Sequence, residues 1–297
     1  MLARAGHVVT LIGREAHMHA ITKHGLQADF ANSSGIESVH LHTSTEIESV
    51  HKADLVLFCV KSTDSESVAK LMAPYLLPDA VVVSLQNGVE NSMLISQHIK
   101  NAVIPAVVYV AAEITAPGCL KHHGRGDLVV GTMSPPRLNH PQQTLTALAE
   151  LFASAQVDVR ISNNVMVELW SKLMVNCAFN AISGLSQLSY GKLAEHASIR
   201  STQADVVKEV IAVAKADGAV LSESEALQTV ANIAVAMAGQ KSSTAQDMAR
   251  QKVSEIDHLN GFIVRRGFAH GIPTPVNQAL HALVKLVESS YTDDSAS

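Results

Sequence analysis

The pattern that most constrains this chain is a series of short, nearly continuous apolar stretches along its first half. Residues 8–12, 53–60 and 80–85 are rich in β-branched side chains and hardly alternate with polar ones. A strand wetted on one side alternates; a strand covered on both faces does not. Residues 103–111 repeat the pattern, and helix-like stretches lie between, including 65–76, stopped by Pro78, and 90–100. Strands interleaved with helices predict βαβ units and a Rossmann-like, doubly wound α/β sheet. Residues 25–42 differ: alternating segments flank Asn32-Ser33-Ser34-Gly35, which predicts a hairpin insertion. Pro117-Gly118 and Pro135-Pro136 punctuate a later strand-rich section, 121–131.

From about Asn163 the character changes. Long amphipathic stretches follow at 165–183, 197–216, 223–239, 245–271 and 275–290, with Pro273 and Pro275 separating the last two. They predict an all-helical second domain, so that residues 1–163 form the α/β domain and 164–297 the helical one. The polar tail from Tyr291 is expected to fray.

Charge and cysteine content narrow the class. The net charge is -5 and no basic run occurs, so electrostatics give no support for nucleic-acid binding. Cys59, Cys119 and Cys177 are odd in number and far apart, which fits a reduced, cytoplasmic protein. No apolar run reaches the ~18 residues of a membrane span, so no membrane partner is expected. The pairs His122-His123 and His17/His19 lack helical i, i+4 spacing with a neighbouring carboxylate, so no metal is expected.

One helical stretch carries chemistry. Within residues 169–180, Lys172, Asn176 and Asn180 recur every fourth position and stack along one face. Asparagine is a poor helix former, so two in an otherwise apolar helix need a reason. An ammonium can donate a proton if its pKa is lowered, and amides can hold a carboxylate or carbonyl. A second set lies at strand ends, where open α/β sheets bind ligands. Arg14 follows the first apolar run, Lys61 the second, and Gln86-Asn87-Gly88 the third. An arginine at the end of the second Rossmann strand accommodates the 2′-phosphate of NADP.

The glycine-rich phosphate loop, G-x-G-x-x-G after a strand, does not occur. Residues 1–7 read as the end of the helix that should follow such a loop, with Gly6 as its C′ residue. The run at 8–12 is then the second strand of the fold. The first strand and its loop are expected about 15–20 residues upstream, given a ~30-residue βαβ unit. The sheet is therefore expected without its first strand, with the runs at 8–12 and 53–60 each short of a neighbour.

These features resemble the ketopantoate reductases (2-dehydropantoate 2-reductases) almost end to end. The carrying motifs are Ala5-Gly6-His7 with Arg14, Val60-Lys61, Gln86-Asn87-Gly88, Trp170-x-Lys172-Leu173 with Asn176 and Asn180, Ser242-Ser243 with Asp247, and residues 254–261 followed by 267–273. The resemblance implies NADPH-dependent reduction of ketopantoate to D-pantoate, a step toward pantothenate. It implies Lys172 and Glu255 as catalytic residues and Asn87, Asn176, Asn180 and Ser243 as substrate-binding residues. Arg14, Lys61, Asn87, Ala111 and Glu255 would contact the cofactor. One departure is Asp64, where many relatives have glutamine. Read without the family, Glu255 would sit in a helix rich in Arg and Lys as a surface ion pair. Ser243 would be a helix N-cap with Asp247 in the first turn. Two further readings stand beside the first: reduction of another branched 2-oxo acid, or a non-catalytic protein that dimerises through its helical domain. A homodimer is compatible with either enzyme reading.

Overall fold

The structure is a computed structural model and describes residues 1–31, 35–133 and 137–291. It divides into two compact units. The first comprises Met1–Val60, Asp64–Gln86 and Glu90–Val165; the second comprises Lys61–Thr63, Asn87–Val89 and the chain from Met166 onward.

The first unit runs β1 (Thr10–Ile12), α1 (Glu15–His24), β2 (Leu26–Phe30), β3 (Ile36–Val39), β4 (His42–Ser44), β5 (Leu55–Phe58), α2 (Ser65–Met72), β6 (Val81–Ser84), α3 (Asn91–His98), β7 (Val103–Ala116), β8 (Cys119–Val130), α4 (Pro141–Ser154) and β9 (Val159–Ile161). A seven-stranded sheet has the order β3-β2-β8-β7-β6-β5, with β9 added beside β8. β5, β6 and β7 are mutually parallel, and β7 turns back on β8 as a long antiparallel hairpin. The chain's first strand, β1, is present where the apolar run predicts it. Among the described residues it does not join this sheet but pairs in parallel with β4, through Thr10–His42, Leu11–Thr43 and Ile12–Ser44. Among the described residues β5 pairs only with β6 and forms the edge of the larger sheet.

Neighbouring residues of β6 show why these strands do not alternate. Val82 packs with Ala69 and Met72 of α2 and Ile95 of α3, while Val83 packs with Leu145, Leu148 and Phe152 of α4. Side chains of successive strand residues point to opposite faces, so both faces must be apolar when both are covered by helices. The hairpin predicted for residues 25–42 forms as β2 against β3, with Leu26 opposite Val39 and Asp29 opposite Ile36. Its centre at Asn32, Ser33 and Ser34, like Pro135-Pro136 and the tail after Tyr291, lies outside the described residues. Gly6 has φ +89° and completes a Schellman turn: Gly6 N donates to Ala3 O (3.1 Å) and His7 N to Leu2 O (3.1 Å). The chain before it is a turn and not a formed helix.

The second unit holds α5 (Val165–Ser186), α6 (Tyr190–Glu195), α7 (Ala197–Ala216), α8 (Glu223–Ala236), α9 (Ser243–Ala249), α10 (Asn260–His270) and α11 (Pro275–Glu288). α5 is its axis. Trp170, Leu173, Met174, Cys177, Ala178, Phe179 and Ala181 are all buried, as befits a helix apolar on most of its circumference. Phe179 stacks on Tyr190 of α6 (4.4 Å between centroids), and Trp170 meets Phe262 of α10 at 5.7 Å. Deleting a buried aromatic of this kind costs about 3–5 kcal/mol. Gly271, left-handed at φ +67°, stops α10, and Pro275 opens α11. No helix of the described residues is long and apolar enough to cross a membrane.

The stretch 245–271, whose periodicity predicts one helix, is two. α9 ends at Ala249, and Gln251 takes φ +52°. Gln251 N donates to Met248 O (3.0 Å) and Lys252 N to Asp247 O (2.9 Å), a Schellman stop built without glycine. Helical periodicity reports which face is apolar, and it carries through a break that keeps the same side inward; that is why the sequence hides this one.

Candidate functional site

The face predicted on α5 exists. Between 165 and 183 no proline or glycine interrupts the helix, so Lys172, Asn176 and Asn180 lie one turn apart. Lys172 and Asn176 are half-buried, and Asn180 is 2% exposed. Asn180 Nδ2 donates to Ser243 Oγ at 3.4 Å, while its Oδ1 is buried without a hydrogen-bond partner. Leaving such an oxygen unsatisfied costs ~1–3 kcal/mol, so a group that supplies a donor there is favoured.

Ser243 is brought to Asn180 by its neighbour. The N-cap of α9 is Ser242, not Ser243: Ser242 Oγ accepts from Ala245 N (3.0 Å). The same hydroxyl donates to Asn180 O (3.2 Å), and Ser242 N donates to Ser183 Oγ (3.3 Å). With the cap role taken, the hydroxyl of Ser243 is exposed. Asp247 then lies beyond the first turn of α9. Gly184 permits the close approach of the two helices, since a Cβ there would stand 2.7 Å from Met248 Sδ and 2.9 Å from Thr244 Cγ2.

Two short stretches that follow β5 and β6 in the chain belong to this unit and meet the segment after α9. Lys61 Nζ donates to Asp247 Oδ2 and to Val253 O, both at 3.1 Å. Ser62 N donates to Glu255 Oε1 at 2.8 Å, and Asn87 Nδ2 approaches Glu255 Oε2 at 3.5 Å, the long limit of a hydrogen bond. Glu255 is therefore not a helical surface ion pair. It is half-buried at the N-cap of the 3-10 turn Ile256–His258, at the end of a non-helical connection, and its carboxylate accepts from a backbone N–H and a carboxamide. Burial pushes the Asp247 carboxyl above the ordinary aspartate range even though Lys61 pulls the other way, and nearby Glu255 adds to the rise.

The remaining predicted residues lie in the first unit. Arg14 is exposed at the N-cap of α1, directly after Gly13 and β1; its carbonyl accepts from His17 N (3.0 Å) and Met18 N (3.1 Å). Ala111 is half-buried in β7 opposite Gly124, beside a bulge at Ala111/Ala112. Gln86 serves the sheet. Its Nε2 donates to Val60 O (2.9 Å) and Ser65 Oγ (2.6 Å), and its Oε1 accepts from Ser84 Oγ (3.1 Å).

With this geometry in hand, comparison with known proteins is specific. Residues 1–135 match the family model of ketopantoate reductase PanE/ApbA, and residues 164–288 match that of the ketopantoate reductase PanE/ApbA C terminal. A 2-dehydropantoate 2-reductase of Vibrio cholerae is 31% identical over 293 residues, which are 98% of this chain and 93% of that one. The chain belongs to the ketopantoate reductase family. The crystal structure of a PanE/ApbA family ketopantoate reductase from Ralstonia eutropha is similar at 48% identity and a TM-score of 0.90, covering 98% of this chain and 93% of that one. The ternary structure of D-mandelate dehydrogenase with NADH and anilino(oxo)acetate superimposes with the same TM-score, 0.90, at 23% identity, and so shares the fold. Against this family frame, the backbone N–H of Ser62 is the contact that sequence reasoning misses, because a main-chain donor leaves no mark on residue identity.

Proposed function

We propose that this ketopantoate reductase family member reduces the ketone of 2-dehydropantoate to D-pantoate with NADPH. Arg14 and Ala111 of the first unit are cofactor contacts, and the helical unit binds the substrate. When bound, NADPH supplies the hydride that adds to the ketone carbon. Negative charge then builds on the carbonyl oxygen, and Lys172 stabilises it and delivers the proton. Asn176, Asn180 and Ser243 hold the substrate, and Glu255 with Asn87 orders the reacting groups. The observation that carries this reading is the buried, partnerless Oδ1 of Asn180 beside the exposed hydroxyl of Ser243. Ketopantoate brings both a hydroxyl donor and a carboxylate acceptor, which match that pair.

For the cofactor, the exposed guanidinium of Arg14 after β1 fits a 2′-phosphate, and Ala111 and Lys61 are taken as further contacts. The unpaired cysteines Cys59, Cys119 and Cys177 support a cytoplasmic setting. Exposed apolar side chains of the helical unit, Phe268 and Leu286 among them, support a homodimer, which light scattering would detect as twice the chain mass.

The deciding assay follows NADPH consumption with ketopantoate and a series of other branched 2-oxo acids. The highest kcat/KM is expected with ketopantoate. A better substrate elsewhere in the series would overturn the substrate assignment, and no turnover with any of them would overturn the reductase reading.

A further inference from the structure

The loop that carries Glu255 has no helix to hold it. After the left-handed Gln251, residues 252–255 make no regular hydrogen-bonding pattern of their own. They are held instead by α11. Glu288 Oε1 accepts from both Ser254 N (2.8 Å) and Ser254 Oγ (2.5 Å). Ser254 Oγ in turn accepts from Ile256 N (3.3 Å), which starts the 3-10 turn. Three residues after Ser254, Asp257 meets His281 Nε2 on Oδ1 (2.6 Å) and accepts from Lys285 Nζ on Oδ2 (2.9 Å). His281, Lys285 and Glu288 are spaced i, i+4, i+7, so one face of α11 grips residues 254–257.

Glu288 is an expensive residue to keep where it is. It is 3% exposed and closes α11, where the helix dipole is negative and disfavours an acid. Its Oε2 makes no hydrogen bond and faces the Lys285 ammonium at 3.4 Å. A burial site at the negative end of a helix does not explain a glutamate here. The grip on Ser254 does, and the next residue in the chain is Glu255.

We propose that Glu288 is a positioning residue for the proposed reduction: by fixing Ser254 it holds the Glu255 carboxylate on Ser62 N–H and toward Asn87. The proposal rests on the functional reading above for its kinetic arm and is independent of it for its exchange arm. The experiment compares Glu288→Ala and Glu288→Gln, each alone and combined with Glu255→Ala. Misplacement of a reacting group by about 1 Å costs on the order of 10²-fold, so Glu288→Ala is expected to lower kcat/KM about 10- to 100-fold. Glutamine keeps an acceptor oxygen and should restore most of that loss. In the Glu255→Ala background, Glu288→Ala should add nothing, since both act through one carboxylate. Amide hydrogen exchange of the same variants should quicken at residues 61–63 and 252–256 and stay unchanged in α6 to α8. Wild-type kinetics in Glu288→Ala, an undiminished loss beside Glu255→Ala, or exchange that rises evenly through the helical unit would each overturn the proposal. If the wild-type chain turned over no 2-oxo acid, the reductase reading would fail while the exchange pattern still decided the role of Glu288.

Discussion

Two buried polar clusters in this protein do opposite jobs. In the first unit, Gln86, Ser84, Ser65 and Asn91 are all buried, and the hydrogen bonds run in a continuous chain: Ser84 Oγ to Gln86 Oε1, Gln86 Nε2 to Ser65 Oγ and Val60 O, and Ser65 Oγ to Asn91 Oδ1 (2.9 Å). That cluster ties the ends of β5 and β6 to the helices that follow them. In the helical unit, Asn180 is just as buried, yet its Oδ1 has no partner and its Nδ2 reaches only an exposed serine at 3.4 Å. A satisfied network stabilises a fold; a half-satisfied one costs stability and marks where a ligand completes it. The comparison teaches that burial of polar groups does not by itself locate a site. What sets Asn180 apart is an unpaired buried oxygen on the same side chain that reaches an exposed hydroxyl.

The strongest way to break this contrast is Lys172→Ala, on the helix face that leads to Asn180. Removing a positioned general acid lowers turnover by 10²–10⁴-fold as a rough range, with little change in NADPH affinity. Near-normal turnover by stopped assay would remove Lys172 from the chemistry and leave Asn180 as an isolated packing defect.

Asn180→Ala should raise KM for the 2-oxo acid about 10- to 100-fold, because a ligand group would lose its buried partner. Its unfolding midpoint should barely move, since the orphaned oxygen leaves with the side chain. Steady-state kinetics and denaturant unfolding of one preparation measure both. A stability loss without a KM effect would make the two clusters alike.

The mirror experiment is Gln86→Ala. Here the expected loss is in stability, about 1–3 kcal/mol for the buried partners left unpaired, with a KM shift smaller than that of Asn180→Ala. Urea unfolding followed by circular dichroism gives the first quantity.

The smallest effect concerns acid. Burial alone would raise the Asp257 carboxyl, but hydrogen bonds from Lys285 and His281 outweigh it and hold it below its ordinary 3.8. In the same way Arg266 and His270 hold Asp217 below 3.8 against its burial. A lowered folded-state pKa gives stability that is complete above the unfolded value and is lost as pH falls through the lower, folded one. Stability attributed to these two carboxylates should therefore be complete above about 3.8 and decline as pH falls below it. Asp257→Asn should flatten that acid limb in a pH series of urea midpoints. An unchanged limb would mean that the α11 grip on the Glu255 loop draws nothing from this ion pair.

The sequence by itself determined a good deal. Uninterrupted apolar strands can be stable only when covered on both faces, and Val82 and Val83 of β6 are so covered. Four-residue spacing in a helix without breakers fixed Lys172, Asn176 and Asn180 on one face of α5. Both follow from local geometry, because side-chain periodicity is set by the backbone alone. Tertiary structure decided what periodicity does not encode. It ended α9 at a left-handed Gln251, gave the cap to Ser242 so that Ser243 could turn to Asn180, and set Glu255 on a backbone donor from residue 62. Those choices depend on partners up to 193 residues away along the chain, and their energies exist only once the packed helices have brought the partners together.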